Sequence, residues 1–393
     1  MAFNGTKAWI ELMKLGRSVG QLRKDIDDFF KGNILSAFKK VGLFSYLQIP
    51  RHKREICDFL HVTDEDLFSQ VLAIFLKDKV IKQTRDRYYL NQKISDSVPK
   101  PQIFEESLVE LFKNYAAALP GRLQGKYISF SSGFNLYDWD DALTSRMYTQ
   151  IRKSAFAFAN VTRKPAYFLD VGCGNGHATS AIWFEYFRRN HFQDGKRMKI
   201  FGIDPDESLI NIAQGEFPRR ISKFSKMDVD EILKHEKFFP HFQIGDVQKI
   251  PFEDNFFDVV YASQVLHWVD PKKALLEMLR VTRPGGKIFG TENFYPAANV
   301  YNDLHFKVVE GARGLFWKKE LVKWGKECGA KSVKIVTPIS IFLIEKRADK
   351  RFAASTPVRD INTAPTISED KTQPDMGVDL QKANTFPRVR HGE

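Results

Sequence analysis

A chain of 393 residues is long enough for two domains with hydrophobic cores of their own, and 43% hydrophobic with 27% charged residues is an ordinary composition for a soluble globular protein. No apolar run is long enough to span a bilayer, and Lys7, Glu11, Lys14 and Arg17 interrupt the N-terminal segment, which excludes a signal-peptide core. We therefore expect a soluble, cytoplasmic protein.

The net charge of +12 would suit a protein that binds nucleic acid or an anionic membrane. The basic residues are spread over both folded parts, however, which favours a solvated basic surface. The three cysteines, Cys57, Cys173 and Cys328, lie far apart in the chain. We predict no disulfide framework and no metal site, and the cysteine usage fits a reducing compartment.

Residues 1–28 predict an amphipathic helical arm with apolar residues such as Trp9 and Leu22 on one face. Packing, or a role as a dimer arm, is the favoured interpretation. Peripheral membrane contact is the alternative, although the polar face is only mildly basic.

Residues 29–95 predict three helices followed by a hairpin. The second helix is short and covers residues 53–60, and Thr63 is expected to cap the third. The hairpin is expected to turn at Arg85 and Asp86. This order of elements is typical of a winged helix.

Winged helices often bind DNA through the third helix, but here the first turn of that helix carries Asp64, Glu65 and Asp66, which repel phosphates. Its apolar face needs a protein core or partner. The order of elements also resembles the N-terminal dimerisation domain of small-molecule O-methyltransferases. We therefore expect a homodimer contact or a substrate lid rather than DNA binding.

Residues 96–160 predict a helical linker or substrate lid, with helices over residues 104–119 and 140–159. The loop between them is rich in glycine and aromatic residues, including Tyr127 and Trp139. Ordinary packing under a loop and a wall over an acceptor pocket are both open interpretations.

The most informative stretch is YFLDVGCGNG, at residues 167–176. An apolar run of this kind predicts a buried parallel strand, and glycine at every second position after Asp170 lets the backbone approach a ligand. A helix-compatible sequence follows, which completes the first unit of a doubly wound α/β domain. The G-x-G-x-G spacing differs from that of dinucleotide sites, and the adjacent acid suits a cationic amino-acid group better than a pyrophosphate.

This stretch resembles the first motif of class I methyltransferases that depend on S-adenosylmethionine (SAM). Segments that resemble the later motifs follow in order, at residues 201–205, 245–252, 257–269 and 274–287. The resemblance is closest to the small-molecule branch that includes the quinone-biosynthesis methyltransferases. It implies a Rossmann-like α/β methyltransferase domain over residues 161–347, preceded by the all-α, winged-helix-like domain, with SAM as the cofactor.

The resemblance also implies roles for individual residues. Asp204 would accept hydrogen bonds from the ribose hydroxyls, Asp246 would accept one from the adenine amino group, and Asp170 would lie near the methionine part. For Asp204 and Asp246, capping of a strand end is the alternative. The residues expected to bind the cofactor are Asp170, Gly172, Gly174, Asn175, Gly176, Asp204, Pro205, Asp246, Val247 and Ser263.

His267 follows the fourth strand of the domain and is the best candidate for a general base, which a hydroxyl nucleophile would need. A packed or capping histidine is the favoured alternative, because related sequences contain this His–aromatic pair without using it as a base. Residues 290–316 contain aromatic side chains expected to line an apolar pocket, namely Phe294, Tyr295, Tyr301, Phe306 and Phe316. Residues 348–393 predict a disordered tail.

The sequence as a whole indicates a SAM-dependent methyltransferase of a small aromatic or lipophilic acceptor, methylated on oxygen, carbon or nitrogen. Two alternatives remain. One is a regulator in which the winged helix binds DNA and the second domain senses SAM. The other is a non-catalytic scaffold that retains the methyltransferase fold.

Overall fold

The structure is a computed structural model. It describes residues 19–101, 104–129, 144, 146–161, 167–187, 198–296, 299–336 and 341–348. The first 18 residues of the predicted N-terminal arm, half of the predicted aromatic loop and almost all of the predicted tail lie outside these residues. No described helix combines the length and the apolar character needed to cross a membrane.

The N-terminal part of the chain contains six helices and three short strands among its described residues. They are α1 (Val19–Lys40), α2 (Leu43–Tyr46), β1 (Arg51–His52), α3 (Lys53–Leu60), α4 (Glu65–Lys77), β2 (Ile81–Thr84), β3 (Arg87–Leu90), α5 (Glu106–Leu123) and α6 (Arg146–Phe158). The three strands form an antiparallel sheet in the order β1-β3-β2. The predicted helix over residues 53–60 and the predicted hairpin are confirmed, with Arg85 in the left-handed backbone region at the turn.

The predicted cap of α4 is wrong by one residue. Asp64 begins the helix, and its carboxylate accepts a hydrogen bond from the backbone N–H of Leu67 at 2.9 Å. This hydrogen bond, together with Arg122 at 2.7 Å, lowers the pKa of Asp64 despite its partial burial. Thr63 instead lies next to the end of α5, where its hydroxyl donates to the carbonyl of Leu123. Asp64 caps the helix instead of Thr63 because its carboxylate reaches the backbone N–H three residues further along the chain.

The second part of the chain is a seven-stranded sheet with helices on its faces. Its elements are β4 (Tyr167–Val171), α7 (His177–Phe187), β5 (Lys199–Asp204), α8 (Glu207–Ser225), α9 (Val229–Leu233), β6 (His241–Ile244), β7 (Phe257–Ser263), α10 (Pro271–Val281), β8 (Thr282–Thr291), β9 (Phe294–Tyr295), α11 (Val300–Phe306), β10 (Phe316–Trp317), α12 (Lys318–Glu327), β11 (Ala330–Val336) and β12 (Ile341–Lys346).

The strand order in the large sheet is β11-β12-β8-β7-β4-β5-β6. The five strands from β8 to β6 run parallel, and β12 is antiparallel to both of its neighbours. The connections change direction between β4 and β7. In sheets of this kind such a switch point opens a crevice at the carboxyl ends of the strands, and ligands bind there.

Helix α11 belongs to the second part of the chain but packs into the core of the first. Its Tyr301, Leu304 and Phe306 are buried in the same apolar cluster as residues of α1 and α5. Polar contacts tie the same segment down, because the Tyr301 hydroxyl donates to Asp78 at 3.0 Å. Arg122 of α5 donates to the carbonyl of residue 307 at 3.2 Å. The core of the N-terminal part therefore includes side chains from the second part of the chain.

The segment between residues 215 and 241 covers one face of the sheet. The long helix α8 covers the first part of this segment, and α9 and a single 3₁₀ turn follow. Its aromatic side chains pack in the interior, where Phe217 and Phe239 lie edge-on against the indole of Trp183. This cluster covers one face of the sheet beside β5.

Candidate active site

The glycine loop between β4 and α7 is held against the end of β5 by two backbone groups. The N–H of Cys173 donates to the carbonyl of Ile203 at 2.9 Å, and the N–H of Gly174 donates to the carboxylate of Asp204 at 2.9 Å. All three glycines of the loop have positive φ angles, which other residues adopt only at a cost. The loop is therefore fixed in shape at the carboxyl edge of the sheet.

The three glycines serve different purposes. A Cβ atom on Gly174 would meet nothing within 4 Å, so this position faces open space. A Cβ on Gly172 would lie 2.7 Å from Val265, and one on Gly176 would lie 2.7 Å from the Cβ of Ala213. Gly174 thus leaves room for a ligand, whereas Gly176 allows the loop to pack closely on α8.

A cavity of about 350 Å³ opens beside this loop, which is within the usual size range for small-molecule sites. Every residue predicted to bind the cofactor lines it except Gly176. The predicted residues on its wall are Asp170, Gly172, Gly174, Asn175, Asp204, Pro205, Asp246, Val247 and Ser263, and the predicted base His267 lies there as well. The charged side chains among its described lining residues, apart from the histidine, are all carboxylates.

Asp170 ends up buried at the base of the cavity, with only 2% of its surface exposed. Thr179 donates to its carboxylate at 2.6 Å, and both this hydrogen bond and the positive charge of Arg152 lower the pKa of Asp170. Burial outweighs both contacts and raises the pKa of Asp170 to about 7. Such a carboxyl group gains a strong partner when a cation binds beside it.

Asp204 ends β5 and holds two backbone groups. One carboxylate oxygen accepts from Gly174 and the other from the N–H of Asp206 at 3.0 Å. Burial raises the pKa of Asp204, and these two hydrogen bonds oppose the increase. Because each carboxylate oxygen has two lone pairs, Asp204 can still accept hydrogen bonds from a pair of ligand hydroxyls.

The far end of the cavity is formed by the N-terminal half of the chain. Leu111, Phe112 and Tyr115 of α5, together with Tyr148 of α6, face residues that follow β7 and β8. Burial raises the pKa of Tyr148 to about 12, so its hydroxyl is neutral. This end of the cavity is apolar and aromatic.

The prediction that five aromatic residues of the segment 290–316 line the pocket is correct only for Phe306. Tyr301 lies in the N-terminal core, and Phe294 and Phe316 pack edge-on against each other in the core of the sheet domain. Tyr295 packs against Trp317.

His267 lies on the wall between the two ends of the cavity and is fully buried. Its Nδ1 atom is 2.6 Å from a carboxylate oxygen of Glu292, which is also fully buried. That carboxylate is fixed by the backbone N–H groups of Leu266 at 2.8 Å and Asn293 at 2.9 Å. The imidazole ring packs between Trp268 and Phe306, with ring centres 4.3 and 4.4 Å away.

These contacts determine which nitrogen of His267 is available. Both oxygens of Glu292 accept backbone hydrogen bonds, so the short contact with His267 assigns Nδ1–H as the donor. With the ring proton on Nδ1, Nε2 carries a lone pair. Nε2 has no hydrogen-bond partner in the described part of the chain. A histidine oriented in this way can accept a proton.

Sequence reasoning missed Glu292 and the aromatic side chains contributed by α5 and α6. Glu292 directly follows the fifth parallel strand, at the edge where functional residues gather, and that position is the signal that could have identified it. Gln264 and Asn293 were missed too, and they join across the cavity wall through a hydrogen bond of 2.9 Å.

Known proteins resemble the chain in its central region. The family model described as a methyltransferase domain matches residues 169–290. An uncharacterised methyltransferase from Schizosaccharomyces pombe is 35% identical over 141 residues, which are 35% of this chain and 44% of that protein. A ubiquinone/menaquinone biosynthesis C-methyltransferase from Burkholderia multivorans is 30% identical over 186 residues, which are 46% of this chain and 66% of that protein. The chain thus spans less than half the length of the first of these relatives.

Solved structures extend the likeness of fold beyond the central region. The DszA carbon methyltransferase has a TM-score of 0.65 at 16% identity, covering 88% of this chain and 95% of that one. The citrinin polyketide synthase CMeT domain has a TM-score of 0.63 at 14% identity, covering 87% and 94%. At these identities the likeness concerns the fold alone. The sheet order, the glycine loop and the family match lead to the same conclusion: the chain has the class I methyltransferase fold, and its residues 169–290 match the methyltransferase-domain family.

Proposed function

We propose that the protein is a SAM-dependent methyltransferase of a small, uncharged, aromatic or lipophilic acceptor. The observation that carries this proposal is a single cavity with three features. It has acids and an open glycine loop at one end, apolar aromatic walls at the other, and the His267–Glu292 pair between them.

The acidic end suits the cofactor. SAM has a positive sulfonium and an ammonium group, and the described lining residues offer carboxylates without a lysine or arginine. Asp170 would face the cationic methionine part, Asp204 would accept from the ribose hydroxyls, and Gly174 leaves the space that the cofactor needs. Asp246 and the backbone of Val247 would contact the adenine. When bound, SAM supplies an activated methyl group for in-line transfer.

The acceptor end favours a ligand without negative charge. Leu111, Phe112, Tyr115 and Phe306 offer apolar surface, and Glu310 is the charged side chain among the described residues there. An anionic acceptor would lose hydration and find no cation in return. A neutral phenol or a carbon acid would keep its affinity and could still become a nucleophile by losing a proton.

His267 and Glu292 would provide that step. The lone pair on Nε2 of His267 would take the acceptor's proton as the methyl group is transferred. Glu292 would hold the ring in this tautomer and stabilise the imidazolium that results.

The proposed activity is tested by incubating the pure protein with SAM labelled in its methyl group and a panel of neutral phenols, carbon acids and amines. The panel covers three acceptor atoms because the relatives include enzymes named as C-, N- and O-methyltransferases. We expect label to enter an apolar neutral acceptor. Absence of SAM binding by calorimetry would favour a non-catalytic scaffold, and tight sequence-specific DNA binding at physiological salt would favour a regulator.

Replacement of Asp204 by alanine is expected to weaken SAM binding by about 1–3 kcal/mol, because charged hydrogen bonds to the ribose would be lost. Calorimetry measures the change. The matched control is Asp230→Ala, which removes an exposed carboxylate on α9 away from the cavity. Unchanged affinity in the Asp204 variant would count against the ribose assignment.

SAM affinity is expected to fall roughly tenfold between about pH 7.5 and about pH 6. Asp170 has a pKa of about 7, so its carboxyl group is mostly ionised at the higher pH and mostly protonated at the lower. Only the ionised form attracts the cationic donor, and affinity is therefore lost as the pH falls through that pKa. The Asp170→Asn variant should bind weakly with little dependence on pH. An equal slope in both proteins would assign the effect elsewhere.

We also propose that the protein is a cytoplasmic homodimer that contacts its partner through the N-terminal half. Three large apolar side chains of that half, Val41, Ile49 and Phe59, are exposed in the single chain and support this proposal. Light scattering of the pure protein measures the oligomeric state. Peripheral membrane contact stays a prediction, for which liposome flotation is the test.

A further inference from the structure

A second cavity lies on the other side of α7 from the active site. Its volume is about 440 Å³, and its described lining residues come from α6, α7 and the end of α8. Adjacent residues of α7 line the two cavities: His177 lines the second and Ala178 lines the first. Nothing in the proposed methyl transfer uses the second cavity.

The charge of the second cavity is opposite to that of the first. Among its described lining residues, four side chains are cationic, Arg152, Lys153, Lys223 and Lys226, and one is acidic, Glu185. None of the four forms an ion pair with a carboxylate of the described part of the chain. The cations outnumber the acid there and repel one another, so a bound anion would stabilise the arrangement.

His177 is an independent observation that points to a ligand. Only 2% of the surface of this residue is exposed, and neither ring nitrogen has a hydrogen-bond partner in the described chain. Phe224 contacts the ring edge-on, with ring centres 5.7 Å apart, and offers no hydrogen bond. A buried polar group without a partner costs free energy, which a ligand in the adjoining cavity would recover.

The histidine is neutral in this setting. Burial and the nearby Arg152, Arg220 and Lys223 hold the pKa of His177 well below its ordinary value. A neutral imidazole has one N–H donor, which can be directed to an acceptor oxygen in the cavity. The ligand must therefore be an anion rich in acceptors, because a cation would meet four like charges.

We propose that this second cavity binds a phosphate group. A phosphate presents several acceptor oxygens and up to two negative charges, which matches a guanidinium fork, three ammonium groups and an imidazole N–H. A single carboxylate would satisfy fewer of these donors. The same recognition serves free phosphate or the phosphate of a small ester, so the two sources share one chemistry.

The site would also be coupled to the active site. Arg152 is electrostatically close both to Glu185 in the second cavity and to Asp170 in the first. A phosphate beside Arg152 would offset its positive charge and so favour the protonated form of Asp170. We therefore expect phosphate to weaken SAM binding, although phosphate binding itself does not depend on the methyltransferase activity.

The test is calorimetric titration of the full chain with inorganic phosphate and, separately, with glycerol phosphate, at constant ionic strength. The double variant Lys223→Gln/Lys226→Gln removes two exposed cations of the cavity and should bind about tenfold more weakly or worse. The matched control, Lys234→Gln/Lys249→Gln, removes two exposed lysines that do not line either cavity, and should change affinity less than about twofold. His177→Leu, checked for folding by thermal melting, should also weaken binding.

The outcomes separate the sources and the alternatives. Binding of inorganic phosphate identifies free phosphate as sufficient, and binding of the ester alone identifies an attached phosphate; either supports the site if the cavity variants weaken it. Binding of neither probe, or equal weakening by the control lysines, would overturn the proposal. Both results are independent of whether methyl transfer is observed.

Discussion

The His267→Ala variant is expected to lose about 100- to 10,000-fold in kcat while its affinity for SAM changes little. The reason is that the contact of its Nδ1 atom with Glu292 orients His267 on the cavity wall and leaves Nε2 able to accept a proton. Rates are measured at saturating SAM with the best acceptor from the labelled-methyl assay.

Glu292→Gln is the companion variant. An amide has a single acceptor oxygen, so it keeps one of the two backbone hydrogen bonds, and it cannot stabilise an imidazolium by charge. We therefore expect kcat to fall while KM for the acceptor stays within about threefold. A merely structural role would instead change stability and affect both constants. The control is His305→Ala, because His305 is also fully buried but lies in the N-terminal core and does not line the cavity. Full activity of folded His267→Ala would show that this histidine only packs.

The Gly176→Ala variant is expected to lower the free energy of unfolding by about 2–5 kcal/mol. The added Cβ would lie 2.7 Å from the Cβ of Ala213 and 3.0 Å from the ring of Phe242, so the core must shift, which costs about 1–3 kcal/mol. The φ angle of 78° adds about 1–2 kcal/mol of backbone strain for a residue with a side chain. Urea titration measures the loss.

Gly215→Ala is the matched control, because this glycine lies within α8 and its Cβ would meet nothing within 4 Å. Its unfolding free energy should rise by up to about 1 kcal/mol, since alanine favours a helix. Gly174→Ala completes the set and should weaken SAM binding more than it affects stability. If Gly176→Ala were as stable as the Gly215 variant, the close contact of the loop with α8 would be wrong.

The glycine loop illustrates both the reach and the limit of prediction from sequence. Spacing alone identified the loop, its strand and its helix, because glycine and buried apolar runs have strong local preferences. The spacing did not distinguish the three glycines, although Gly174 faces the cavity and Gly176 faces Phe242. That distinction depends on which distant segment packs against each residue, and no local pattern contains it.

The same reasoning explains the errors elsewhere. Asp204 and His267 follow strands with recognisable motifs, so their places in the cavity could be expected. Glu292 was missed because its importance comes from a histidine 25 positions away in the chain. The apolar wall was assigned to the wrong segment, since aromatic content does not reveal whether a ring faces a cavity or a core. Phe294 and Phe112 differ in this respect only through tertiary packing.

The shared core around α11 has a practical consequence for anyone who divides this protein into pieces. A protease that cuts the segment between β3 and α5 would nick the chain without releasing a fragment, because Tyr301, Leu304 and Phe306 would still hold the halves together. Expression of the sheet region by itself would leave those three side chains facing water, and such a product should aggregate. Shortened versions intended for crystallisation therefore need to retain α1 and α5.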